Sequence, residues 1–131
     1  MEQKIPVQVM NMDLSDRVEL VPGHVYRKSI GAEALGVTMF WIKKPSDPEK
    51  AKSIMGPGHR HGEEMFFVLK GRGTMFIEGK NVPIKEGDTV LIPAGVLHGD
   101  GEWESDELVL LAVENPPRPG LRFYFNDVTK Q

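Results

Sequence analysis

The chain has 131 residues, of which 40% are apolar, and this is the size of one domain with one hydrophobic core. Its formal net charge is −3 and no run of basic residues exceeds two, so we expect no binding of nucleic acid, which requires a basic patch. The absence of cysteine excludes disulfides, thiolate nucleophiles and iron–sulfur clusters. Neither a signal peptide nor a membrane span is recognisable, and we expect a cytoplasmic protein without membrane contact.

The apolar residues occur in short runs rich in β-branched and aromatic side chains, separated by turn residues that include many of the 14 glycines and 10 prolines. A spacing of roughly 8–12 residues between such runs predicts an all-β sandwich or small barrel. The predicted strands, in chain order, are 17–21, 25–30, 37–43, 64–70, 74–78, 82–85, 89–92, 108–114 and 121–125.

The connections between the strands are less regular. Gly79-Lys80 is predicted as a two-residue hairpin loop with glycine in the first central position. The longest connection, 44–58, contains one predicted helical turn at 48–52, and is either a lid over a site or a solvated charged insertion. The prolines within 116–119 are expected to redirect the chain before the last strand, because proline cannot serve a central ladder.

Two local patterns contain three of the four histidines. In a strand, residues two apart face the same side, so His59 and His61 can direct both imidazoles at one ion, and carboxylates follow within three residues. By itself this pattern is equally typical of surface histidines. The second pattern, 87–98, consists of a tight turn, a buried strand and a Pro-x-Gly reversal that presents His98 at the end of the strand.

Together the two patterns resemble the motifs of the cupin superfamily. The first motif, His-x-His, a short gap, Glu, six residues and Gly, is matched by His59, His61, Glu64 and Gly71. The second, Gly, five residues, Pro-x-Gly, two residues and His, is matched by Gly87, Pro93, Gly95 and His98. The resemblance implies an antiparallel jelly-roll β-barrel (a double-stranded β-helix) forming one domain, 1–131, with a core barrel at about 37–113 and terminal arms packed on it.

The resemblance also implies a metal centre. Its ligands are expected to be His59, His61, Glu64 and His98, holding one divalent transition metal, which is Fe, Mn, Ni, Co, Cu or Zn. Four protein ligands leave open positions only on a five- or six-coordinate ion. The gap before the glutamate is shorter than usual in the family, and regular alternation would favour Glu63. Glu64 has the family's distance to Gly71 and is preferred, with Glu63 as the alternative.

Other residues are candidates for a pocket around the metal. Trp41 and Trp103 are each either core or pocket wall, and His24 is expected to be structural or solvent-facing. Arginines able to neutralise an organic acid are Arg72, Arg118 and Arg122. Apolar candidates for the lining, otherwise expected in the barrel core, are Phe40, Ile42, Phe66, Val68, Met75, Ile77 and Leu97.

These observations lead to two main hypotheses of function. The first is a metal-dependent enzyme acting on a small organic molecule, as a dioxygenase or as a non-redox lyase, isomerase or decarboxylase; no catalytic residue is identified beyond the ligands. The alternative is a non-catalytic module that binds or senses an organic acid or sugar, and a third is a purely structural metal. We expect a homodimer, because apolar stretches near both ends need covering, or else a monomer whose tails fold back.

Overall fold

The structure is a computed structural model that describes residues 7–55, 58–60 and 62–117. Within those ranges the chain forms antiparallel strands and a single short helix. In chain order the elements are β1 (Val18–Val21), β2 (Val25–Gly31), β3 (Gly36–Lys43), α1 (Pro48–Met55), β4 (Glu63–Lys70), β5 (Arg72–Ile77), β6 (Lys80–Lys85), β7 (Thr89–Ile92), β8 (His98–Trp103) and β9 (Glu107–Asn115).

The strands form two sheets. The larger has the order β1-β2-β3-β9-β4-β7 and the smaller the order β6-β5-β8, with every pair antiparallel. From β4 onward the chain passes repeatedly between the sheets, since β5, β6 and β8 belong to the smaller sheet and β7 and β9 to the larger. This double-sheet winding is the jelly-roll barrel expected from the sequence.

The main core lies between the two sheets. Alternate residues of a strand face the same side, so Phe66 and Val68 of β4 both point toward the smaller sheet, where Met75 and Ile84 complete the core. Val68 is completely buried. The barrel interior is therefore built from side chains of both sheets, as in other sandwiches.

The outer face of the larger sheet is also covered, at its centre. Met39, Trp41 and Val109 form a second buried cluster there, against which Met10 packs. The side-chain amide of Gln8 donates to the carbonyl of Gly31 at 2.8 Å. Part of the segment before β1 thus folds back onto the sheet, and Trp41 belongs to this outer cluster rather than to the barrel interior.

Each strand predicted between 17 and 114 is present, with ends that differ by no more than two residues. The predicted strand 121–125 lies outside the described residues. The prediction lacked β8, whose sequence HGDGEW contains none of the β-branched residues that favour strands. Pairing with β5 holds β8 in the sheet instead, and this is tertiary information.

The hairpin loop between β5 and β6 was predicted one residue too late. Ile77 pairs with Lys80, so the loop is Glu78-Gly79, with φ of 46° and 83°. Two positive φ values identify a type I′ turn, which normally prefers asparagine, aspartate or glycine at its first central position. Glu78 is held there by Leu97, whose backbone N–H donates to the Glu78 carboxylate at 3.0 Å.

The long connection contains more helix than the predicted single turn. The side chain of Asp47 caps α1, accepting from the backbone N–H of Lys50 at 3.1 Å, and proline occupies the first helical position. Ala51 is buried, while Lys52 forms an ion pair with Glu102 of β8 at 3.1 Å. The helix therefore lies against the rim of the smaller sheet. In the described part of the chain, no helix combines the length and apolar character needed to cross a membrane.

Candidate metal centre and adjoining cavity

Two histidines far apart in sequence are joined by their backbones. The N–H of His59 donates to the carbonyl of His98 at 2.8 Å, and the N–H of His98 donates to the carbonyl of His59 at 3.0 Å. This isolated antiparallel bridge brings the two rings to a centroid separation of 4.6 Å. His98 is buried, whereas His59 is exposed at the surface.

The carboxylate that reaches these histidines is Glu64. It shares the inward face of β4 with Phe66 and is 1% exposed, whereas Glu63 is exposed. Strand alternation produces this placement, because neighbouring residues of β4 point to opposite sides of the sheet. His61, the remaining predicted ligand, lies outside the described residues.

The ring of His98 has a hydrogen-bond acceptor at each nitrogen. Nδ1 is 2.9 Å from the carbonyl oxygen of Val96, and Nε2 is 2.9 Å from Oε1 of Glu64. A neutral imidazole carries one N–H and can satisfy one of these oxygens. The second position therefore calls for a positive charge between Nε2 and the carboxylate, either a proton or a metal ion.

The donor set fits a transition metal. Ligand atoms of His59, Glu64 and His98 all lie within 4.8 Å of one another. Imidazole nitrogens and carboxylate oxygens bind such ions at about 2.0–2.2 Å, so two ligands of one ion are separated by no more than about 4 Å. A small inward adjustment would let the three residues hold an ion, and the bond from Nδ1 of His98 to Val96 orients that ring in the way typical of metal-bound histidine.

A second buried carboxylate, which the sequence prediction lacked, lies beside Glu64. Glu114 of β9 is the cross-strand partner of Glu64 and is 1% exposed. The hydroxyl of Thr38 donates to Oε1 of Glu114 at 3.3 Å. The signal was available in the sequence: Glu114 follows the inward-facing Leu110 and Ala112 at the strand period of two.

A cavity of about 190 Å³ extends from His59 into the barrel. Four of the predicted apolar residues line it, and three, Val68, Ile77 and Leu97, do not. Its apolar lining comprises Leu20, Val21, Val25, Phe40, Ile42, Phe66, Met75 and Leu110. Besides His59, its charged or ionisable residues are Arg27 and Asp100.

The cavity arginine is not one of those expected from the sequence. Arg72 lies on the surface, with its Nε 3.8 Å from a Glu104 carboxylate oxygen, and Arg118 and Arg122 lie outside the described residues. Arg27 was overlooked because a strand arginine is usually solvated. Arg27 shares one face of β2 with Val25 and Ser29. That this face points into the barrel follows from the pairing of β2 with β3, which is tertiary information.

Asp100 of β8 borders two cavities, the one beside His59 and a more open one of about 590 Å³ beneath α1. Burial by the surrounding protein atoms raises the pKa of its carboxyl above the ordinary value, and the electrostatic influence of His24 partly opposes this rise. His24 is buried, with Nδ1 2.5 Å from the Lys43 carbonyl oxygen and its ring edge-on to Trp103 at 5.0 Å. Of the two placements expected for His24, structural or solvent-facing, the structure has the buried, structural one, and Trp103 packs against the main core.

Known proteins share this fold. The structure of KdgF from Halomonas sp. superposes with a TM-score of 0.63 at 22% identity, over 81% of this chain and 90% of that one. An RmlC-like cupin from Shewanella frigidimarina superposes with a TM-score of 0.64 at 17% identity, over 86% and 94% of the two chains. At these identities the likeness establishes the fold.

Sequence comparison gives the family. An oxalate-binding protein of Thermotoga maritima is 39% identical over 57 residues, which are 42% of this chain and 47% of that protein. The chain spans about half the length of the curated relatives that it matches. Residues 50–114 match the family model described as a cupin domain. This range contains both histidine motifs, and the chain belongs to the cupin superfamily.

Proposed function

We propose that this cupin is a metal-dependent enzyme that acts on a small organic molecule. The observation that carries the proposal is the arrangement around His98, whose Nε2 faces the buried carboxylate of Glu64 while Nδ1 is committed to Val96. A divalent ion held by His59, His61, Glu64 and His98 would satisfy both the ring and the carboxylate.

The bound metal would supply Lewis-acid or dioxygen chemistry at any coordination position that the protein leaves open. The surrounding side chains have separate roles. Val96 fixes the ring of His98 through Nδ1, and Phe66, whose ring is 6.3 Å from that of His98, shields the inner side of the site from water. The cavity beside His59 provides space for a substrate. Dioxygenase, lyase, isomerase and decarboxylase reactions remain the candidates.

The metal centre is tested by a matched pair of variants at adjacent residues. Glu64→Gln removes the buried carboxylate, whereas Glu63→Gln makes the same chemical change on the outer face. We expect Glu64→Gln to weaken binding of Mn²⁺ or Ni²⁺ at least tenfold in calorimetric titration, and Glu63→Gln to change it less than twofold. Equal metal affinity in the two variants would contradict the assignment of Glu64 as a ligand, and Glu63 would again be a candidate.

Turnover is tested separately, because metal binding alone does not make an enzyme. Protein loaded with each candidate metal is incubated with small organic acids and diketones, while dioxygen uptake and product formation are followed. Conversion that disappears in His98→Ala supports the enzyme. Saturable binding without conversion, whatever the metal, would favour a binding module, and the partial match to an oxalate-binding protein is the observation in favour of that second function.

We also propose that the chain forms a homodimer. Val7 and Val9 near the start of the described chain are 95% and 91% exposed, although Met10 beside them folds back onto the sheet. A second copy that covers these valines would remove apolar surface from water. Light scattering after size exclusion tests this: we expect a dimer for the wild type and a shift toward monomer for the Val7→Ser/Val9→Ser double variant. A wild-type monomer at micromolar concentration would refute it.

A further inference from the structure

The cavity beside His59 combines an apolar wall with two groups of opposite formal charge. Arg27 lies on the inward face of β2, opposite Phe40 of β3, and lines the cavity. A guanidinium remains charged in a protein and offers a fork of donors that matches a carboxylate. An arginine in the cavity lining is therefore suited to bind an anionic group of a ligand.

Asp100 also lines this cavity. It is the cross-strand partner of the buried Met75, while part of its own side chain is exposed to solvent. Among the described residues, none donates a hydrogen bond to its carboxylate and none forms an ion pair with it, Arg27 included. A carboxylate so placed is an acceptor available to a ligand.

The size of the cavity limits what can reach both groups. At about 190 Å³ it is smaller than the roughly 300–1,000 Å³ typical of sites for drug-sized ligands. A molecule of a few carbon atoms fits, with its carbon skeleton against the apolar wall and its polar groups directed to Arg27 and Asp100.

We propose that this cavity selects a small monocarboxylate that carries a hydrogen-bond donor, with the ligand carboxylate on Arg27 and the donor, a hydroxyl or an amino group, on Asp100. This inference deepens the proposed function and rests on it, since it names the substrate class of the same site. Asp100 acts here as a specificity-determining residue, because a ligand without the donor leaves its carboxylate without a partner.

Four ligands that differ by single groups test the proposal by calorimetry on the metal-loaded and metal-free protein. Butyrate lacks the donor, 3-hydroxybutyrate and 3-aminobutyrate carry a hydroxyl or an amino group, and 1,3-butanediol lacks the carboxylate. We expect the wild type to bind at least one donor-bearing acid tenfold or more tightly than butyrate, and butanediol more weakly still. The better of the hydroxyl and amino ligands identifies the donor.

Variants assign the two ends of the ligand. Asp100→Leu should reduce the preference for the donor-bearing acid to less than twofold, and Asp100→Asn, which keeps an acceptor oxygen, should restore part of it. Arg27→Met should weaken all the acids at least tenfold, with Arg27→Lys intermediate. The matched controls are Asp106→Leu and Arg72→Met, which replace exposed residues outside the cavity and should behave as the wild type.

The outcomes separate the two proposals. Wild-type protein that binds metal but does not distinguish butyrate from its hydroxy and amino derivatives overturns the cavity assignment and leaves the metal centre standing. Protein that distinguishes them without binding any metal refutes the metal-dependent enzyme while supporting the cavity assignment. A preference that survives Asp100→Leu in a folded variant also overturns the role given to Asp100.

Discussion

Glu64 and Glu114 lie directly opposite each other on β4 and β9, and each side chain is 99% buried. Two carboxylates so close together in a protein interior are costly unless each has its own partner. Glu64 has Nε2 of His98 at 2.9 Å, and Glu114 has the hydroxyl of Thr38 at 3.3 Å. The hydroxyl of Thr38 is in turn 3.0 Å from that of Ser29. Ser29, Thr38 and Glu114 therefore form a buried polar network beside Glu64.

The central member of this network is Thr38. Thr38→Val keeps the shape of the side chain but removes the donor to Glu114, so we expect the free energy of unfolding to fall by about 1–3 kcal/mol. Ser29→Ala leaves the bond between Thr38 and Glu114 in place and should cost less. Urea denaturation measures both, and a Ser29→Ala variant that is the less stable of the two would contradict this order.

Gly58 permits the backbone bridge between His59 and His98. Its φ is +116°, and a Cβ added there would lie 2.7 Å from the His98 carbonyl oxygen. We therefore expect Gly58→Ala to separate the two histidines and to weaken metal binding at least tenfold. Gly87→Ala is the control, since Gly87 has a φ of +91° but nothing within 4 Å of the added Cβ. If both variants lost metal affinity to the same extent, the loss would come from backbone strain at a positive φ, and the contact with His98 would have no part in it.

Two neighbouring residues of β7 allow the contribution of an inward-facing side chain to stability to be compared with that of an outward-facing one. Ile92 is 1% exposed and Leu91 beside it is 72% exposed. We expect Ile92→Ala to lower the free energy of unfolding by about 2–5 kcal/mol, and Leu91→Ala to change it by less than about 0.5 kcal/mol. Comparable losses in the two variants would mean that Leu91 is covered in solution, as it would be at the interface of an oligomer.

The attachment of the segment before β1 depends on pH. The hydrogen bond from Lys28, together with that from Ser15, lowers the pKa of Asp13 from 3.8 to about 2. Because the folded-state pKa is the lower one, the stabilisation by Asp13 is complete above about pH 4 and is lost as the pH falls toward 2. A carboxyl titration by NMR should give this low pKa, and Lys28→Met should return it toward 3.8. An ordinary pKa in the wild type would show that this contact is absent.

The local pattern of the sequence was sufficient for much of the architecture. Strands such as β3 and β9 are rich in apolar and β-branched residues, and this local preference agrees with their place in the sheet. The choice of Glu64 over Glu63 came from a motif spacing and agrees with the inward face of β4. By contrast, β8 is dominated by glycine and acidic residues, which are depleted in strands, and its pairing with β5 reveals it.

The strand period by itself therefore predicted an all-β sandwich or barrel and most of the strands, because it is a local property of the chain. The jelly-roll class and the candidate metal ligands were predicted through the resemblance of two local motifs to those of the cupins. Only the tertiary structure placed Glu114 against Glu64 and brought Arg27 and Asp100 to one cavity. These contacts join strands that are far apart in sequence. Their register is fixed by the packing of two sheets around a common core, which no local pattern contains.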